Sequence, residues 1–271
     1  MKRLLSLLFL CAVLMLTSCA SSPQEDDPLP QLIIGSSPYA PYFYRDVSGS
    51  YAGIDVEIAA EACRRIGYEP VFREIALDER FARLAAGEVD CLWSCLTMDS
   101  REDEFLWAGP YLYTQRVIVV RADSGIRSIE DLADQRVAVQ SGSTSEHILT
   151  DGLDNEFSAL ARLTVYPELG QVFAALRGGY VDAAAGMEGA LKQYLDDYPG
   201  EYRLLNMRFR SQAQGVAFRK NGDTALAQKL RDALADMTAD GTTAAIISAH
   251  GLNVKKNVYG GTTNADSRCA E

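Results

Sequence analysis

The chain has 271 residues, a formal net charge of −11, and a composition that is 48% hydrophobic. This is enough for one large or two small domains with a proper core. The acidity argues against binding to nucleic acid, which requires clustered Lys and Arg, and we interpret it as a property that favours solubility.

The N-terminus has the order of a secretory signal peptide. Lys2 and Arg3 precede an apolar run from Leu4 to Leu16, which is followed by small residues and Cys19. This run of thirteen residues, interrupted only by Ser6, is too short to cross a membrane, which takes about 20. The ending resembles the lipobox of bacterial lipoproteins. We therefore predict a signal peptide over 1–18, a lipidated Cys19 and a polar, proline-rich tether over 19–31; the alternative is ordinary secretion with Cys19 incidental.

Beyond the tether, strand and helix patterns alternate. Helical spacing predicts a helix over Ile54–Ile66 that ends at Gly67, and a second over Asp78–Ala86 with Asp78 as its N-cap. Three apolar runs predict strands: Leu32–Gly35, Pro70–Ile75 and Val89–Trp93. This βαβ alternation indicates an α/β fold with mainly parallel sheets.

The same alternation recurs in the second half of the chain. Predicted strands are Val117–Arg121, Arg136–Gln140, Leu163–Tyr166 and Val181–Ala185. Four helices are predicted here. The first follows a capping box at 128–131, the second begins near Ser143, the third covers Gln171–Arg177 and the fourth begins near Glu188. Two further helices, Thr224–Ala239 and Thr242–His250, lack a sheet of their own, and we expect them to cover the first lobe.

One short motif occurs twice. Leu84–Asp90 and Leu176–Asp182 both read Leu-x-x-Gly-x-Val-Asp, which is typical of a helix end, a glycine stop and a strand start. Such joints are common, so the repeat alone is weak. Within two αβ blocks it predicts two sheets of similar topology.

The cysteine and histidine patterns favour neither a scaffold nor an enzyme. The pairing of Cys63, Cys91, Cys95 and Cys269 stays open, because four cysteines allow three full pairings; we expect Cys91 and Cys95 to be free, packed thiols. The chain has two distant histidines, no phosphate-binding or dinucleotide-binding glycine motif, and no metal-ligand spacing. We expect no catalytic residue, no metal and no cofactor.

Three loops follow predicted strands, where open α/β sheets bind ligands. The small residues around Ser143 and Thr144 precede a helix whose N-terminus could bind an anion; plain helix capping is the alternative. Arg101, beyond Ser94 and Thr97, could bind a carboxylate through its planar fork; a surface salt bridge with Glu102 or Asp103 is the alternative. In the first loop, Tyr39 and Tyr42 could present a ring face to a ligand or simply pack at the edge.

These features together resemble the family 3 solute-binding proteins of amino-acid ABC importers, over roughly residues 31–251. The landmarks, in the family's order, are Tyr39-Ala-Pro-Tyr42, Gly53-Ile-Asp-Val-Glu57, Ala86-Gly-Glu-Val-Asp90, Arg101 with Ala108-Gly-Pro-Tyr111, Ser128-Ile-Glu-Asp-Leu132, Val137–Glu146 and Gly215-Val-Ala-Phe-Arg-Lys220.

The resemblance implies a two-lobed periplasmic-binding-protein type II fold. Lobe 1 would comprise 31–110 and 216–259, lobe 2 would comprise 116–210, and hinge strands at 111–115 and 211–215 would let the lobes close on a ligand. The tail over 260–271 has no interpretation. The implied partners are a small ligand and a membrane ABC permease, with a monomeric protein lipid-anchored on the extracytoplasmic face.

The resemblance also implies roles for the candidate site residues, according to their positions in the family pattern. Arg101 would bind the ligand α-carboxylate with amides near Ser143 and Thr144, Tyr39 and Tyr42 would contact the side chain, and Ser94 and Thr97 would bind the ammonium or carboxylate.

Two departures from the family pattern matter. The segment from Asp90 to Arg101 is one residue shorter than in the family pattern. Alignment from the preceding strand therefore places Thr97 at a given family position, whereas alignment from Arg101 places Leu96 there. The usual acidic acceptor of the α-ammonium falls on Met187; the adjacent Glu188 could substitute or could be an ordinary N-terminal helix glutamate. The ligand is therefore an amino acid or a carboxylate without the standard amino group. A sensor domain and a cyclohexadienyl dehydratase-like enzyme, with Glu188 as its candidate acid, are the alternative functions.

Overall fold

The computed structural model describes residues 28–99, 101–151, 162–205 and 211–259, except the side chains of Asp151 and Tyr259. Within these ranges the strands are β1 (Gln31–Ser36), β2 (Tyr44–Arg45), β3 (Tyr51–Ala52), β4 (Glu69–Glu74), β5 (Cys91–Thr97), β6 (Leu106–Thr114), β7 (Arg116–Arg121), β8 (Arg136–Gln140), β9 (Arg162–Tyr166), β10 (Ala183–Met187), β11 (Tyr202–Leu204) and β12 (Gln212–Phe218). The helices are α1 (Ile54–Ile66), α2 (Arg80–Ala86), α3 (Thr144–Asp151), α4 (Leu169–Arg177), α5 (Glu188–Asp197), α6 (Thr224–Ala239), α7 (Thr242–Ala249) and α8 (Val254–Tyr259), with a 3₁₀ turn over Glu130–Leu132.

The strands form two five-stranded sheets, one in each lobe. The first has the order β4-β1-β5-β12-β6, and the second has the order β11-β7-β10-β8-β9. In the first sheet β1 runs parallel to β4 and β5, while β12 runs antiparallel to β5 and β6. In the second sheet β8 runs parallel to β9 and β10, while β7 runs antiparallel to β10 and β11.

The predicted α/β fold of two lobes is confirmed, but the sheets are mixed and not mainly parallel, since each has two parallel and two antiparallel strand pairs. The parallel pairs come from the βαβ units in each lobe, as the alternating pattern predicted. The antiparallel pairs involve β12 and β7, the strands next to the predicted crossings. Gln115 alone separates β6 of the first sheet from β7 of the second. The lobe and hinge boundaries themselves stay predictions.

The repeated Leu-x-x-Gly-x-Val-Asp motif has the same structural role in both lobes. Asp90 Oδ2 accepts the Ile33 N–H at 2.8 Å, and Asp182 Oδ2 accepts the Arg136 N–H at 2.9 Å. Each aspartate therefore ties the start of a strand to the neighbouring parallel strand. This explains why β5 and β10 begin two residues later than predicted: the Val-Asp pair precedes the strand.

Other elements agree with the sequence patterns, with two local corrections. Only half of the capping box at 128–131 forms: Asp131 Oδ2 accepts the Ser128 N–H at 3.0 Å, but the 3₁₀ turn that follows has Ile129 as its N-cap residue and no side-chain cap. Helix α1 ends at Gly67 in the left-handed conformation, with φ 75°. Asp78 is not the N-cap of α2, because the helix begins at Arg80 and its N-cap residue is Glu79. The Glu79 N–H instead donates to Ala76 O at 3.1 Å, forming a turn that delays the helix.

Three cysteines and residues of the C-terminal helices belong to the main hydrophobic core. The C-terminal α6 packs on α1 and β6 of the first lobe, as expected for helices without a sheet of their own. Cys63, Cys91 and Cys95 are free and buried, which confirms the prediction for Cys91 and Cys95. Cys11, Cys19, Cys269, the segment 1–27 and the tail over 260–271 lie outside the described residues. No helix in the described part of the chain is long and apolar enough to cross a membrane.

Candidate functional site

A cleft with a volume of about 770 Å³ lies between the two lobes. Lobe 1 contributes the loops that follow β1 and β4, and lobe 2 contributes the loops that follow β8 and β9 together with α5. These loops start at the carboxyl ends of parallel strands, which is where the sequence placed the candidate site.

A smaller inner pocket of about 40 Å³ adjoins this cleft and shares Tyr39 and Leu77 with it. One water molecule needs about 10–15 Å³ of such volume, so the pocket has room for a group of a few atoms. Its lining residues are Tyr39, Leu77, Arg80, Ser94, Cys95, Leu96, Arg116, Gly142, Ser143, Thr144, Ser145 and Met187.

Four of the predicted site residues meet at this inner pocket: Tyr39, Ser94, Ser143 and Thr144. The Ser94 hydroxyl accepts the Ser37 N–H at 3.0 Å, which holds the loop after β1 against β5. The Tyr39 hydroxyl accepts the Met187 N–H at 3.3 Å, across the cleft from lobe 2. Burial raises the pKa of Tyr39 to about 12, so the phenol is neutral at physiological pH.

The N-terminus of α3 combines capping with free donors. Ser143 Oγ accepts the Glu146 N–H at 3.1 Å, as a helix cap does. The Gly142 N–H donates to Glu146 Oε2 at 2.6 Å. The N–H groups of Thr144 and Ser145 belong to the first turn, which leaves them without intrahelical acceptors. Helix capping and anion binding are therefore compatible at this segment, because Ser143 caps the helix while the first-turn N–H groups are still available as donors.

Two predicted residues lie away from the pocket lining in this arrangement. Arg101 forms an ion pair with Glu104 at 3.0 Å, and its guanidinium lies 4.5 Å above the Phe81 ring. This is the salt-bridge alternative, with Glu104 as the partner. The Thr97 hydroxyl lies 3.4 Å from Asp99 Oδ2. Ligand contacts by Arg101 and Thr97 stay predictions.

Two further predicted residues are held by other partners. Tyr42 is 1% exposed and stacks against Tyr39 with ring centroids 6.2 Å apart. It lines neither the cleft nor the inner pocket. Glu188 forms an ion pair with Lys256 at 2.9 Å and also lies outside both linings. Their ligand contacts also stay predictions.

Sequence reasoning missed two arginines that line the inner pocket. Arg116 is 5% exposed, and its Nε and Nη1 atoms have no hydrogen-bond partner. Arg80 is 6% exposed; it donates to Leu77 O at 2.6 Å and to Gly142 O at 3.2 Å, while its Nε has no partner. Burial lowers the pKa of each guanidinium to about 10, so both carry a charge at neutral pH.

The spacing of apolar residues did indicate that both arginines lie on a buried face. Arg80 lies four residues before Leu84, which places it on the buried face of α2. Arg116 shares one face of β7 with Ile118 and Val120, because strand side chains alternate with a period of two. A charged residue on a buried face is the unusual feature that could have identified them.

The charges are distributed unevenly over the site. The lining of the inner pocket includes two guanidinium groups and no carboxylate. The wider cleft carries carboxylates on its wall: Glu74, Asp78, Glu168 and Asp197. Within the described ranges no three His, Cys, Asp or Glu side chains are grouped so that they could hold a metal ion. The chemistry of the inner pocket is therefore that of an anion site.

Comparison with known proteins gives a family match along almost all of the described chain. Residues 32–252 match the model of the bacterial extracellular solute-binding proteins, family 3. The chain is 31% identical over 225 residues to the histidine-binding periplasmic protein of Escherichia coli (strain K12), covering 79% of this chain and 85% of that protein.

Solved structures agree with the same architecture. An ancestral arginine-binding protein bound to glutamine has a TM-score of 0.72 at 26% identity, covering 81% of this chain and 96% of that one. AncCDT-1, an ancestral amino acid-binding protein and precursor of cyclohexadienyl dehydratase, has a TM-score of 0.72 at 25% identity, covering 81% of this chain and 94% of that one. The matched span agrees with the 31–251 predicted from the motifs.

Proposed function

Because this chain belongs to family 3 of the bacterial extracellular solute-binding proteins, we propose that it captures an amino acid or similar small carboxylate for an ABC importer. The observation that carries the proposal is the inner pocket, where buried guanidinium groups and the N-terminus of α3 meet between the lobes. Tyr39, Ser94, Ser143 and Thr144 contact the solute there. The protein acts as a monomer and hands the solute to a membrane permease.

Relatives support solute capture. The protein from E. coli is a histidine-binding protein, and AncCDT-1 is an amino acid-binding protein. An enzymatic role would need a proton donor at the solute, and Glu188, the candidate acid, is paired with Lys256 outside the pocket lining. We therefore propose binding without turnover.

A thermal-unfolding screen tests this function. The panel contains the common amino acids and small mono- and dicarboxylates, with sodium chloride at matched ionic strength as the control. A solute present at 100 times its Kd should stabilise the protein by about 2.7 kcal/mol. Prephenate and arogenate belong in the panel, and formation of product from either would contradict binding without turnover. A panel in which no solute raises the Tm would contradict the proposed function.

We also propose that the mature protein begins at Cys19 and is held to the membrane by its acyl chains. The Leu16-Thr17-Ser18-Cys19 boundary after a short apolar run supports this. Cys19→Ser should lose labelling by radioactive palmitate and leave the membrane fraction. Cys11→Ser is the matched control, since Cys11 lies inside the predicted signal peptide and should leave labelling intact. Equal labelling of both variants would refute the anchor.

A further inference from the structure

Arg116 is a buried cation whose partners do not account for it. Its side chain lies at the start of β7, directly after the crossing from lobe 1, and lines the inner pocket. Among the described residues, the groups that act most on its charge are Tyr39, Cys95, Asp99 and Tyr42. Asp99 is the one carboxylate of these four, and its exposed side chain accepts the Ala213 N–H at 3.1 Å. A charge buried without a close counter-ion destabilises a protein, which points to a partner that arrives with the ligand.

A second guanidinium faces the same space. Arg80 reaches the pocket from α2 of lobe 1, whereas Arg116 reaches it from β7 of lobe 2. The hydrogen bonds of Arg80 go to two backbone carbonyls, and its guanidinium lies 4.5 Å from the centre of the Phe81 ring. The carboxylate that acts on its charge, Asp78, lines the wider cleft and not the inner pocket. With the first-turn N–H groups of Thr144 and Ser145, the pocket is lined by donors from both lobes.

The size of the pocket limits what can enter it. About 40 Å³ suits a carboxylate group, and the remainder of a solute would occupy the adjoining cleft of about 770 Å³. In an α-amino acid the ammonium is attached to the carbon next to the carboxylate, so it would enter the region of the two guanidinium groups. Met187 lies there, and Glu188 is paired with Lys256. The lining provides no carboxylate to receive an ammonium group.

We propose that Arg116, supported by Arg80, binds the anionic end of the solute, and that the solute is a carboxylate without an ammonium group next to that end. This inference rests on the proposed function, and it names the substrate class of the same cleft. A guanidinium binds a carboxylate through two parallel hydrogen bonds. The Nε and Nη1 atoms of Arg116 have no partner, and each can donate one bond of such a fork together with Nη2.

Matched pairs of solutes test the class. Three pairs differ only by the α-ammonium: L-glutamate and glutarate, L-histidine and imidazolepropionate, L-arginine and 5-guanidinopentanoate. Calorimetric titration should show at least one des-amino member binding tenfold or more tightly than its partner. Tighter binding of an α-amino acid than of its des-amino partner would overturn this inference while leaving the proposed function intact. If neither these pairs nor the wider panel bind, both fail.

Variants of Arg116 test its role. Arg116→Met keeps an unbranched apolar stem and removes the charged guanidinium, so binding should weaken about thirtyfold or more. The Tm of the unliganded variant should stay equal or rise, because a buried unpaired charge is gone. An arginine with a purely structural role would show a lower Tm and a Kd within threefold, and this result would overturn the proposal.

Two further variants keep the test decisive. Arg121→Met removes the same group from the other end of β7, where Arg121 pairs with Asp123 at 3.7 Å, and it should leave the Kd within threefold. Arg116→Lys retains the charge and loses the planar fork, so it should bind with an intermediate Kd. Should Arg116→Met fail to fold, a Kd for Arg116→Lys within threefold of wild type would overturn the proposal.

Discussion

Asp55 shows how burial can override a helix N-terminus at the scale of one residue. It lies in the first turn of α1, where the helix dipole favours a negative charge. It is nevertheless 1% exposed, and burial raises its pKa to about 6 although the Tyr111 hydroxyl donates to it at 2.9 Å. The desolvation of the carboxylate therefore outweighs the hydrogen bonds that stabilise its charged form.

This shift predicts a pH dependence of stability. Since the folded pKa of Asp55 is above the unfolded value, the folded state binds more protons between pH 4 and 6, and stability falls as the pH rises through that range. Asp55→Asn removes this titration, so its free energy of unfolding relative to wild type should rise by roughly 3 kcal/mol from pH 4 to 7. Urea unfolding at several pH values measures the difference, and a difference that is constant with pH would contradict the prediction.

Asp46 provides a control for which the contribution to stability changes with pH in the opposite direction. Its exposed carboxylate accepts a hydrogen bond from the Ser48 hydroxyl, which lowers its pKa. Its contribution to stability is present above the unfolded pKa and is lost as the pH falls. Relative to wild type, Asp46→Asn should therefore lose stability as the pH rises.

The candidate site could be predicted from sequence only in part. Loops after strands are visible as small or polar residues beyond an apolar run, so Tyr39, Ser94 and the Ser143–Thr144 segment could be named as candidates from sequence. These residues line the inner pocket, and their contacts with a solute stay predictions. The positions of Arg80 and Arg116 at the pocket were not predicted, because an arginine at the start of a helix or strand is also typical of a solvent-exposed side chain. Their position is decided by which face packs inward, and that depends on contacts between elements that are distant in sequence.

At the scale of elements, local patterns predicted type and order better than boundaries. Strand β8 and helix α1 lie where periodicity placed them, because each has a clear alternation or a glycine stop. The starts of β5 and β10 were shifted by the aspartates that bind the neighbouring strand. That hydrogen bond is a long-range contact, which no window of local sequence contains.

The start of α5 illustrates the same limit. Glu188 is an N-terminal helix residue, as one of the two sequence-based alternatives stated, and its partner Lys256 comes from α8, 68 residues later. Asn257 on α8 also donates to Tyr113 O at 2.8 Å, beside the crossing between the sheets. The C-terminal helix therefore connects the first lobe, the crossing strand and α5, a role that its six residues alone do not indicate.

At the scale of the whole molecule, the lobes touch around the inner pocket. Arg80 of lobe 1 donates to Gly142 O of lobe 2 at 3.2 Å, and the Tyr39 hydroxyl accepts the Met187 N–H at 3.3 Å. Since residues from both lobes line the pocket, a bound solute would contact both lobes, and we expect the lobes to separate for its entry. The crossings are suited to this movement, because few strands connect the two sheets.

The same geometry predicts that the two lobes close on a bound solute. Saturation with a solute should bring the lobes together about the predicted hinge strands at 111–115 and 211–215, so the radius of gyration measured by small-angle X-ray scattering should fall. Sodium chloride at matched ionic strength is the control and should leave the scattering curve of the free protein unchanged. The direction of change is expected because the solute contributes contacts to both lobes only when they are closed, and a ligand shifts an equilibrium by its difference in affinity for the two states. A radius of gyration that stays constant from free to saturated protein would contradict hinge closure and favour a cleft whose solute enters by local loop movement.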